Sequence, residues 1–288
     1  MVHLKNRFLI SVASGKGGTG KTTIATNLAF IAAEKGLNVS YLDCDVEEPN
    51  GHIFLKPKIE NISAATIPVP VVDESKCIAC GKCRDICQYS AIILLGKTIL
   101  TFPNLCHGCG GCTLVCPTGA ITEAGRELGI VECGIAGKVR FVHGRLNIGE
   151  AISPPLIREV KKHIPSDGVA IIDSPPGTSC PVIQSVRGSD YVILVTEPTP
   201  FGLNDLKLAV EMLRVLDLPF GVVINRSDIG DASVLDYCES ACIDVLLEIP
   251  DDRRIAEAYS RGQLATQVLP EYAEVFASLL KDLFDVRL

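Results

Sequence analysis

Short apolar runs recur along the chain, and each ends at a glycine-rich loop or at a polar residue. The runs cover residues 8–12, 37–42, 169–172, 191–195 and 221–224. They are continuous rather than alternating and rich in Val and Ile, which is typical of parallel strands buried on both faces. The pattern therefore predicts a parallel sheet with polar groups at the ends of its strands.

Helical patterns lie between these runs, notably at 202–216 and 252–261. Strands that alternate with helices predict an α/β fold with a doubly wound, mostly parallel sheet. In such a sheet, ligands bind beyond the carboxyl ends of the strands. The residues that follow the predicted strands are therefore the candidates for a functional site.

A cysteine-rich region interrupts this alternation. The same half-unit occurs twice, at 77–92 and again at 106–121. A repeat of this kind is typical of a small pseudo-symmetric domain. We expect an inserted α+β domain of this region within the larger α/β domain.

The region divides the chain into a large domain, residues 1–70 with 126–288, and an inserted domain, residues 71–125. The Pro-containing stretch at 67–70 is interpreted as the entry linker of the insert. Residues 130–148 alternate enough to predict a hairpin before the α/β pattern resumes.

Composition narrows the class of protein. The 288 residues carry a net charge of -7, which argues against a nucleic-acid partner bound through a general basic field. The N-terminal pattern is not that of a signal peptide, and no stretch approaches about 18 uncharged apolar residues. We expect a cytoplasmic protein without stable membrane insertion, so the 13 cysteines are expected to bind metal rather than to form disulfides.

The C-terminal stretch 275–284 is amphipathic. Its polar side carries Lys281, Asp282 and Asp285, and so lacks the basic excess that draws a helix to anionic lipid. Docking of this helix against the sheet is the favoured interpretation, and peripheral membrane association is the alternative.

The loop after the first apolar run fits G-x-x-x-x-G-K-T in the strand–loop–helix setting of a phosphate-binding loop. Its glycines let backbone N–H groups point at phosphate oxygens, and the following helix adds its N-terminal partial positive charge. We expect Lys21 to reach the β- and γ-phosphates of ATP and Thr22 to bind Mg²⁺. The expected nucleotide contacts of the loop are Gly15, Gly17, Gly18, Thr19, Gly20, Lys21, Thr22 and Thr23.

A second lysine, Lys16, makes the loop K-G-G-x-G-K-T, which resembles the deviant P-loop class of MinD, ParA and the nitrogenase iron protein. The resemblance implies that Lys16 crosses a dimer interface to the nucleotide of the partner subunit. It therefore implies an ATP-dependent homodimer with slow, partner-stimulated ATP hydrolysis.

Two carboxylate segments resemble motifs of the same class. In Y-L-D-C-D, the resemblance assigns Asp45 to orienting the attacking water and Asp43 to the magnesium shell. In I-I-D-S-P-P-G-T, which resembles a Walker B strand and switch loop, Asp173 would hold Mg²⁺ through water and Gly177 would sense the γ-phosphate.

Residues 222–226 and 249–252 resemble the two segments that recognise adenine in this class. The resemblance makes Asn225 the residue expected to contact the base, with Pro250 beside it. Together with the phosphate-binding loop, these segments place ATP and Mg²⁺ among the expected cofactors.

The spacing C-x₂-C-x₂-C-x₃-C, present twice, resembles the two-cluster bacterial ferredoxins, in which the fourth cysteine of each run serves the other cluster. The second run ends in Cys-Pro, whereas Gln88 stands at that place in the first. Structural zinc is the alternative, although triple C-x₂-C-x₂-C suits it poorly. The resemblance implies two [4Fe–4S] clusters, one bound by Cys77, Cys80, Cys83 and Cys116 and the other by Cys106, Cys109, Cys112 and Cys87.

Five cysteines remain outside these runs, and burial in the core is the default for each. Cys180 follows Asp173 at an offset similar to that of a cluster-binding cysteine in the nitrogenase iron protein. Cys180 from two subunits would supply two thiolates to a bridging cluster, and Cys133 is the candidate for the second pair.

The whole arrangement resembles MinD-superfamily P-loop ATPases that contain an inserted ferredoxin domain. Three functions stay open. The first couples the ATP cycle to electron transfer to an unidentified redox partner, which full cysteine ligation favours. The second is an iron–sulfur cluster carrier or scaffold that delivers to an acceptor protein, and the third is a positioning or regulatory ATPase with structural or redox-sensing clusters.

Overall fold

A computed structural model describes residues 7–285. The strands are β1 (Arg7–Ala13), β2 (Val39–Asp43), β3 (Lys58–Val72), β4 (Ile92–Leu95), β5 (Thr98–Thr101), β6 (Ile121–Ala136), β7 (Val139–Leu146), β8 (Gly168–Asp173), β9 (Tyr191–Thr196), β10 (Phe220–Asn225) and β11 (Val245–Ile249). The helices are α1 (Lys21–Glu34), α2 (Gly51–Leu55), α3 (Lys82–Ile86), α4 (Gly111–Leu114), α5 (Pro154–Lys161), α6 (Cys180–Val186), α7 (Pro200–Val215), α8 (Ser233–Ser240), α9 (Arg253–Ser260), α10 (Ala265–Val268) and α11 (Pro270–Asp285).

Within residues 7–285, the main sheet has nine strands in the order β11-β10-β9-β1-β8-β2-β7-β6-β3. The seven strands from β11 to β7 pair in parallel, and β6 and β3 complete one side in antiparallel pairs. The predicted α/β fold with a mostly parallel sheet is therefore confirmed, and the five apolar runs are β1, β2, β8, β9 and β10.

Helices cover both faces of this sheet. On one face α1 and α11 pack against Ile10 and Val12, and on the other α6, α7 and α8 pack against β9 and β10. Phe276 and Leu283 of α11 are buried in the first of these cores. The amphipathic C-terminal stretch thus docks on the sheet, as expected. Of the helices within 7–285, none combines the length and apolarity that a membrane span requires.

Strands β6 and β7 form an antiparallel hairpin, in which Ala136 pairs with Val139. The two-residue turn contains Gly137 at φ 59°, a left-handed conformation that glycine adopts without strain. The hairpin predicted over residues 130–148 is confirmed. Because β7 then pairs in parallel with β2, the hairpin joins the cysteine-rich side of the chain to the parallel sheet.

Strands β3 and β6 run on together beyond the end of β7 and form a two-stranded ribbon. A register shift between Ala65 and Thr66, opposite Leu128, marks the point where the ribbon leaves the sheet. Such bulges bend a strand pair and increase its twist. The predicted boundaries of the insert, 70/71 and 125/126, fall within this ribbon.

The interpretation of residues 67–70 as a linker was wrong, because Pro68 and Pro70 lie inside β3 and pair with β6. Proline lacks an N–H group and is excluded from central strands, but β3 is the edge strand of the sheet. The prolines are therefore tolerated in β3, because an edge strand pairs on one side only and its other side needs no N–H donor.

Residues 73–120 connect the two ribbon strands, from the end of β3 to the start of β6. They contain α3, α4 and the β4–β5 hairpin. The internal repeat is visible in the backbone, since α3 follows Gly81 at φ 77° and α4 follows Gly110 at φ 70°. Small apolar clusters join this segment to Ile67, Val69 and Ile121 of the ribbon.

Candidate functional site

The phosphate-binding loop lies between β1 and α1, with Gly18 at φ 81° and Gly20 at φ 98°. Both glycines are left-handed, which turns successive N–H groups toward a common point. A Cβ at Gly15 would lie 2.2 Å from the backbone oxygen of Asp205, so α7 requires glycine there. The helix α1 begins at Lys21, directly after the loop. The predicted strand–loop–helix context is thus present, and it forms an anion-binding site.

Lys21 is buried, with 7% of its surface exposed. Burial lowers the pKa of its amino group, and the nearby carboxylates of Asp173, Asp45 and Asp43 oppose that change. The structure therefore brings Lys21, the lysine predicted to bind phosphate, together with all three carboxylates that the sequence predicted. The lysine balances part of their negative charge.

Asp43 and Asp173 are direct neighbours in the register of β2 and β8, and both are buried. The carboxylate of Asp43 accepts hydrogen bonds from the backbone N–H groups of Asp45 (3.1 Å), Asn50 (3.1 Å) and Gly51 (2.9 Å). Burial, together with the charge of Asp173, raises the pKa of Asp43 well above its ordinary value. Two buried carboxylates side by side are the arrangement that a divalent cation stabilises.

Asp173 accepts a hydrogen bond of 2.9 Å from the hydroxyl of Tyr41 through Oδ2. Its other oxygen, Oδ1, is buried and makes no hydrogen bond within the described part of the chain, and the hydroxyls of Thr19 and Ser174 are in the same condition. Buried polar atoms without partners are rare and mark places where a ligand or ion completes the set. The carboxylate of Asp173 also lies beside the Thr22 side chain, and oxygens of this kind suit a phosphate with its Mg²⁺.

Asp45 is half-buried at the rim of the same group. Burial and the charge of Asp173 raise its pKa to about 6, and Lys21 opposes this increase. Unlike Asp43, it also lines the open cavity above the loop. Its carboxylate is therefore the one that solvent reaches.

A cavity of about 420 Å³ extends from the phosphate-binding loop to the segment after β10. Asn225 and Pro250, the two residues expected at the base, both line it. The amide nitrogen of Asn225 donates to the backbone oxygen of Thr19 at 2.9 Å, so Asn225 also fixes the loop. Gly177 of the switch segment has φ 96° and donates its N–H to the oxygen of Ser14 at 2.9 Å.

Lys16 lies beside a different carboxylate. Its Nζ lies 3.7 Å from Oε2 of Glu197, which follows β9. Glu197 also accepts a hydrogen bond of 3.2 Å from Arg226. Neither Glu197 nor Arg226 was predicted as a partner, although Glu197 lies two residues after the predicted strand 191–195, which was the available signal.

His143 is a second unexpected neighbour of the site. It stands opposite Asp43 in the register of β7 and is buried, and its Nε2 lies 2.7 Å from Oε2 of Glu132 on β6. Burial lowers the pKa of the imidazole, which the Glu132 carboxylate opposes. Asp173, Asp43, His143 and Glu132 therefore form one row across β8, β2, β7 and β6.

The cysteines of residues 73–120 line two separate cavities. One is lined by Cys77, Cys80, Cys83 and Cys116, and the other by Cys87, Cys106, Cys109 and Cys112. Each cavity thus takes three cysteines from one run and the fourth from the other run, which is the division that the resemblance to two-cluster ferredoxins implies. No group of three His, Cys, Asp or Glu side chains within 7–285 is placed to hold a single metal ion.

The remaining cysteines are dispersed. Cys44 and Cys238 are buried, and Cys242 is exposed. Cys180 is exposed at the start of α6, whereas Cys133 lies on β6 with its Sγ 3.6 Å from Nδ1 of His163. A bridging cluster at Cys180 and Cys133 stays a prediction.

The fold and the loop define a P-loop nucleotide-binding protein. Residues 10–265 match the family model of the CobQ/CobB/MinD/ParA nucleotide binding domain, and the chain belongs to this family. The chain is 22% identical to the septum site-determining protein MinD of Pyrococcus horikoshii, solved with Mg-ADP. That match has a TM-score of 0.60 over 96% of each chain, and at this identity it shows the fold alone.

Two relatives known from sequence illustrate the similarity. An uncharacterized protein of Methanocaldococcus jannaschii is 30% identical, over 96% of this chain and 98% of its own length. An iron-sulfur cluster carrier protein of Pyrococcus abyssi is 25% identical, over 97% of this chain and 88% of its own. The similarity therefore extends over nearly the whole chain in both cases.

Proposed function

We propose that the protein is a dimer-forming ATPase that carries two [4Fe–4S] clusters and couples its nucleotide cycle to electron transfer to a partner protein. Residues 71–125 act in this proposal as an inserted ferredoxin-like domain. The observation that carries it is the division of eight cysteines into two cavities of four. Four thiolates complete the ligation of a cluster, and a fully ligated cluster suits electron carriage better than delivery.

Hydrolysis follows from the arrangement around Lys21. The N–H groups of residues 15–20 and the amino group of Lys21 hold the β- and γ-phosphates, while Thr22, Asp43 and Asp173 would hold Mg²⁺. When bound, Mg²⁺ supplies charge that neutralises the phosphate oxygens. Asp45 orients a water molecule, which attacks the γ-phosphorus as the bond to the β–γ bridging oxygen breaks, leaving ADP and phosphate.

In the proposed dimer, two subunits enclose two ATP molecules and Lys16 reaches the nucleotide of the other subunit. Closure brings additional positive charge to the γ-phosphate, where negative charge must be stabilised during transfer. Lys16 is a third exposed and therefore accessible for this role, with 35% of its side chain open to solvent.

The second candidate function is a cluster carrier that delivers clusters to an acceptor protein. It is favoured by the relatives named iron-sulfur cluster carrier protein, including one of Pyrococcus abyssi that matches 97% of this chain. Exposed cysteines in each cavity, Cys80 and Cys109, also give an acceptor thiol access to the proposed clusters.

One anaerobic preparation separates the two functions. Cluster EPR signals are recorded with ADP and with ATP, and cluster transfer to an apo-acceptor is measured in parallel. Changed signals with ATP and retention of iron support electron transfer. Loss of iron to the acceptor, accelerated by ATP, supports the carrier instead and contradicts the proposal.

A further inference from the structure

Glu197 lies between two cations. It follows β9 and is nearly buried, with 9% of its side chain exposed. Nζ of Lys16 approaches one of its oxygens at 3.7 Å, and Arg226 donates a hydrogen bond to the other at 3.2 Å. One carboxylate therefore joins the phosphate-binding loop to the segment that follows β10.

We propose that Glu197 is a positioning residue that holds Lys16 on its own subunit until the lysine moves to the nucleotide of the partner subunit. The inference rests on the proposed function, in which Lys16 acts across the dimer. A lysine that contacts Glu197 does not reach a phosphate in the other subunit, so the two contacts exclude each other. Formation of the closed dimer therefore breaks two such ion pairs.

Arg226 explains how Glu197 releases the lysine. A buried carboxylate that loses every cation is strongly unfavourable. Arg226 stays beside Glu197 when Lys16 leaves, so the carboxylate keeps one charged partner. The lysine itself is 35% exposed, and ion pairs of partly exposed lysines are weak. A phosphate with more than one negative charge therefore displaces Glu197 as its partner.

Glu197 also lies outside the residues that line the nucleotide cavity. A change there replaces none of the side chains that line the cavity, although one of them, Arg226, loses Glu197 as its partner. The structure thus offers a way to change the release of Lys16 separately from nucleotide binding.

The test measures dimerisation of the full chain in the presence of a saturating non-hydrolysable ATP analogue. Sedimentation over a range of protein concentrations gives the midpoint concentration, at which half of the protein is dimeric. We expect Glu197→Gln to lower the midpoint concentration. An exposed pair changes an equilibrium by about two- to fivefold, so two released lysines give about a four- to twenty-five-fold shift.

Arg226→Gln is the matched control, and it should change the midpoint concentration of dimerisation in the opposite direction. It leaves Glu197 with Lys16 as its cation, so the pair tightens and the midpoint rises. In a Lys16→Met background, Glu197→Gln has no further effect on the midpoint. Because Arg226 lines the nucleotide cavity, the affinity of each variant for the analogue itself is measured at low protein concentration, where the protein is monomeric, to show that the analogue is saturating.

The possible failures are distinguishable. If Lys16→Met dimerises as the unmodified protein does, Lys16 does not act across the interface and the proposed function is itself wrong in this respect. If Lys16 is required but Glu197→Gln leaves the midpoint unchanged or raises it, the positioning role of Glu197 alone is overturned.

Discussion

The nucleotide site and the cysteine-rich segment are assembled in opposite ways. The nucleotide site takes residues as distant in sequence as Gly17 and Pro250, each placed next to the end of a strand or the start of a helix. The cysteine-rich segment takes its cysteines from residues 77–116, on short helices and turns. The first site is held by a nine-stranded sheet and its packed faces, whereas the second depends on local spacing.

This difference has an energetic consequence. The apolar clusters under the cysteine-rich segment are small and include cysteines as members. Large side chains of the segment, such as Ile78, Leu95 and Leu114, stay exposed. A segment of this size rarely folds on its core alone and commonly needs metal. We therefore expect cluster binding to contribute to its folding, while the nucleotide site forms without a ligand.

Lys21→Ala gives the largest expected effect and tests whether the two regions are independent. Removing the buried amino group leaves the phosphates and three carboxylates without their cation. We expect ATP hydrolysis to fall by at least about 100-fold, with iron content unchanged. Phosphate release and iron are measured on the same preparation. Lys35→Ala, an exposed lysine at the end of the same helix, is the control. A parallel loss of iron would contradict independence.

Cys83→Ser and Cys109→Ser test the other region. Each removes a cysteine from a different cavity. We expect iron and acid-labile sulfide to fall from about eight to about four per chain in each variant, with ATP binding retained. Cys242→Ser, an exposed cysteine outside the segment, should keep the full content. Two zinc ions and no sulfide in the unmodified protein would rule out the ferredoxin-like proposal.

Tyr41→Phe sharpens the comparison at the level of stability. The hydroxyl of Tyr41 is buried and donates to Asp173 at 2.9 Å. Its loss removes a hydrogen bond to a buried carboxylate, and we expect the free energy of unfolding to fall by about 1.5–3 kcal/mol. Denaturant unfolding of the ligand-free protein measures this. The side chain of Tyr259 is half-exposed, so Tyr259→Phe should change the free energy of unfolding by less than about 0.5 kcal/mol. Equal effects of the two substitutions would contradict a stabilising role for the bond between Tyr41 and Asp173.

The smallest expected effect is the coupling between the two regions. If ATP-driven closure and cluster reduction bias each other, a coupling of about 1 kcal/mol appears as a shift of roughly 40 mV for a one-electron cluster. The reduction potentials are measured with ADP and with a non-hydrolysable ATP analogue. Nucleotide affinities of oxidised and reduced protein must change by the same factor, because linkage is reciprocal. Equal potentials in both states would leave the clusters energetically independent of ATP binding.

Apolar runs and glycine loops predicted the parallel strands and the phosphate-binding loop because these depend on local pattern. The long ribbon was missed, since Pro68 and Pro70 resemble a linker unless the strand is known to lie at an edge. The pairing of Lys16 with Glu197 was missed for another reason. It joins two distant parts of the chain, and only the packing of β9 beside β1 brings them together.

The row of polar residues across β8, β2, β7 and β6 could not be predicted from the sequence either. His143 and Asp43 meet because β7 pairs with β2, which no local pattern specifies. The division of the cysteines between two cavities differs in this respect, since the resemblance of the two runs to two-cluster ferredoxins implies it. Sequence patterns therefore predicted the features that depend on a local motif and missed those that depend on the order of strands in the sheet.

The ribbon of β3 and β6 extends beyond the sheet, so a rotation at its base would displace its tip. Beyond the bulge at Thr66 it continues to the pair Val72–Ile121 without support from β7. At about 3.3 Å per residue, these seven residues span roughly 23 Å. A rotation of about 10° at the bulge would then move the tip by roughly 4 Å, about the separation of two atoms in contact. A change at the nucleotide site that rotated the ribbon by this angle would therefore displace its tip by about one atomic contact distance.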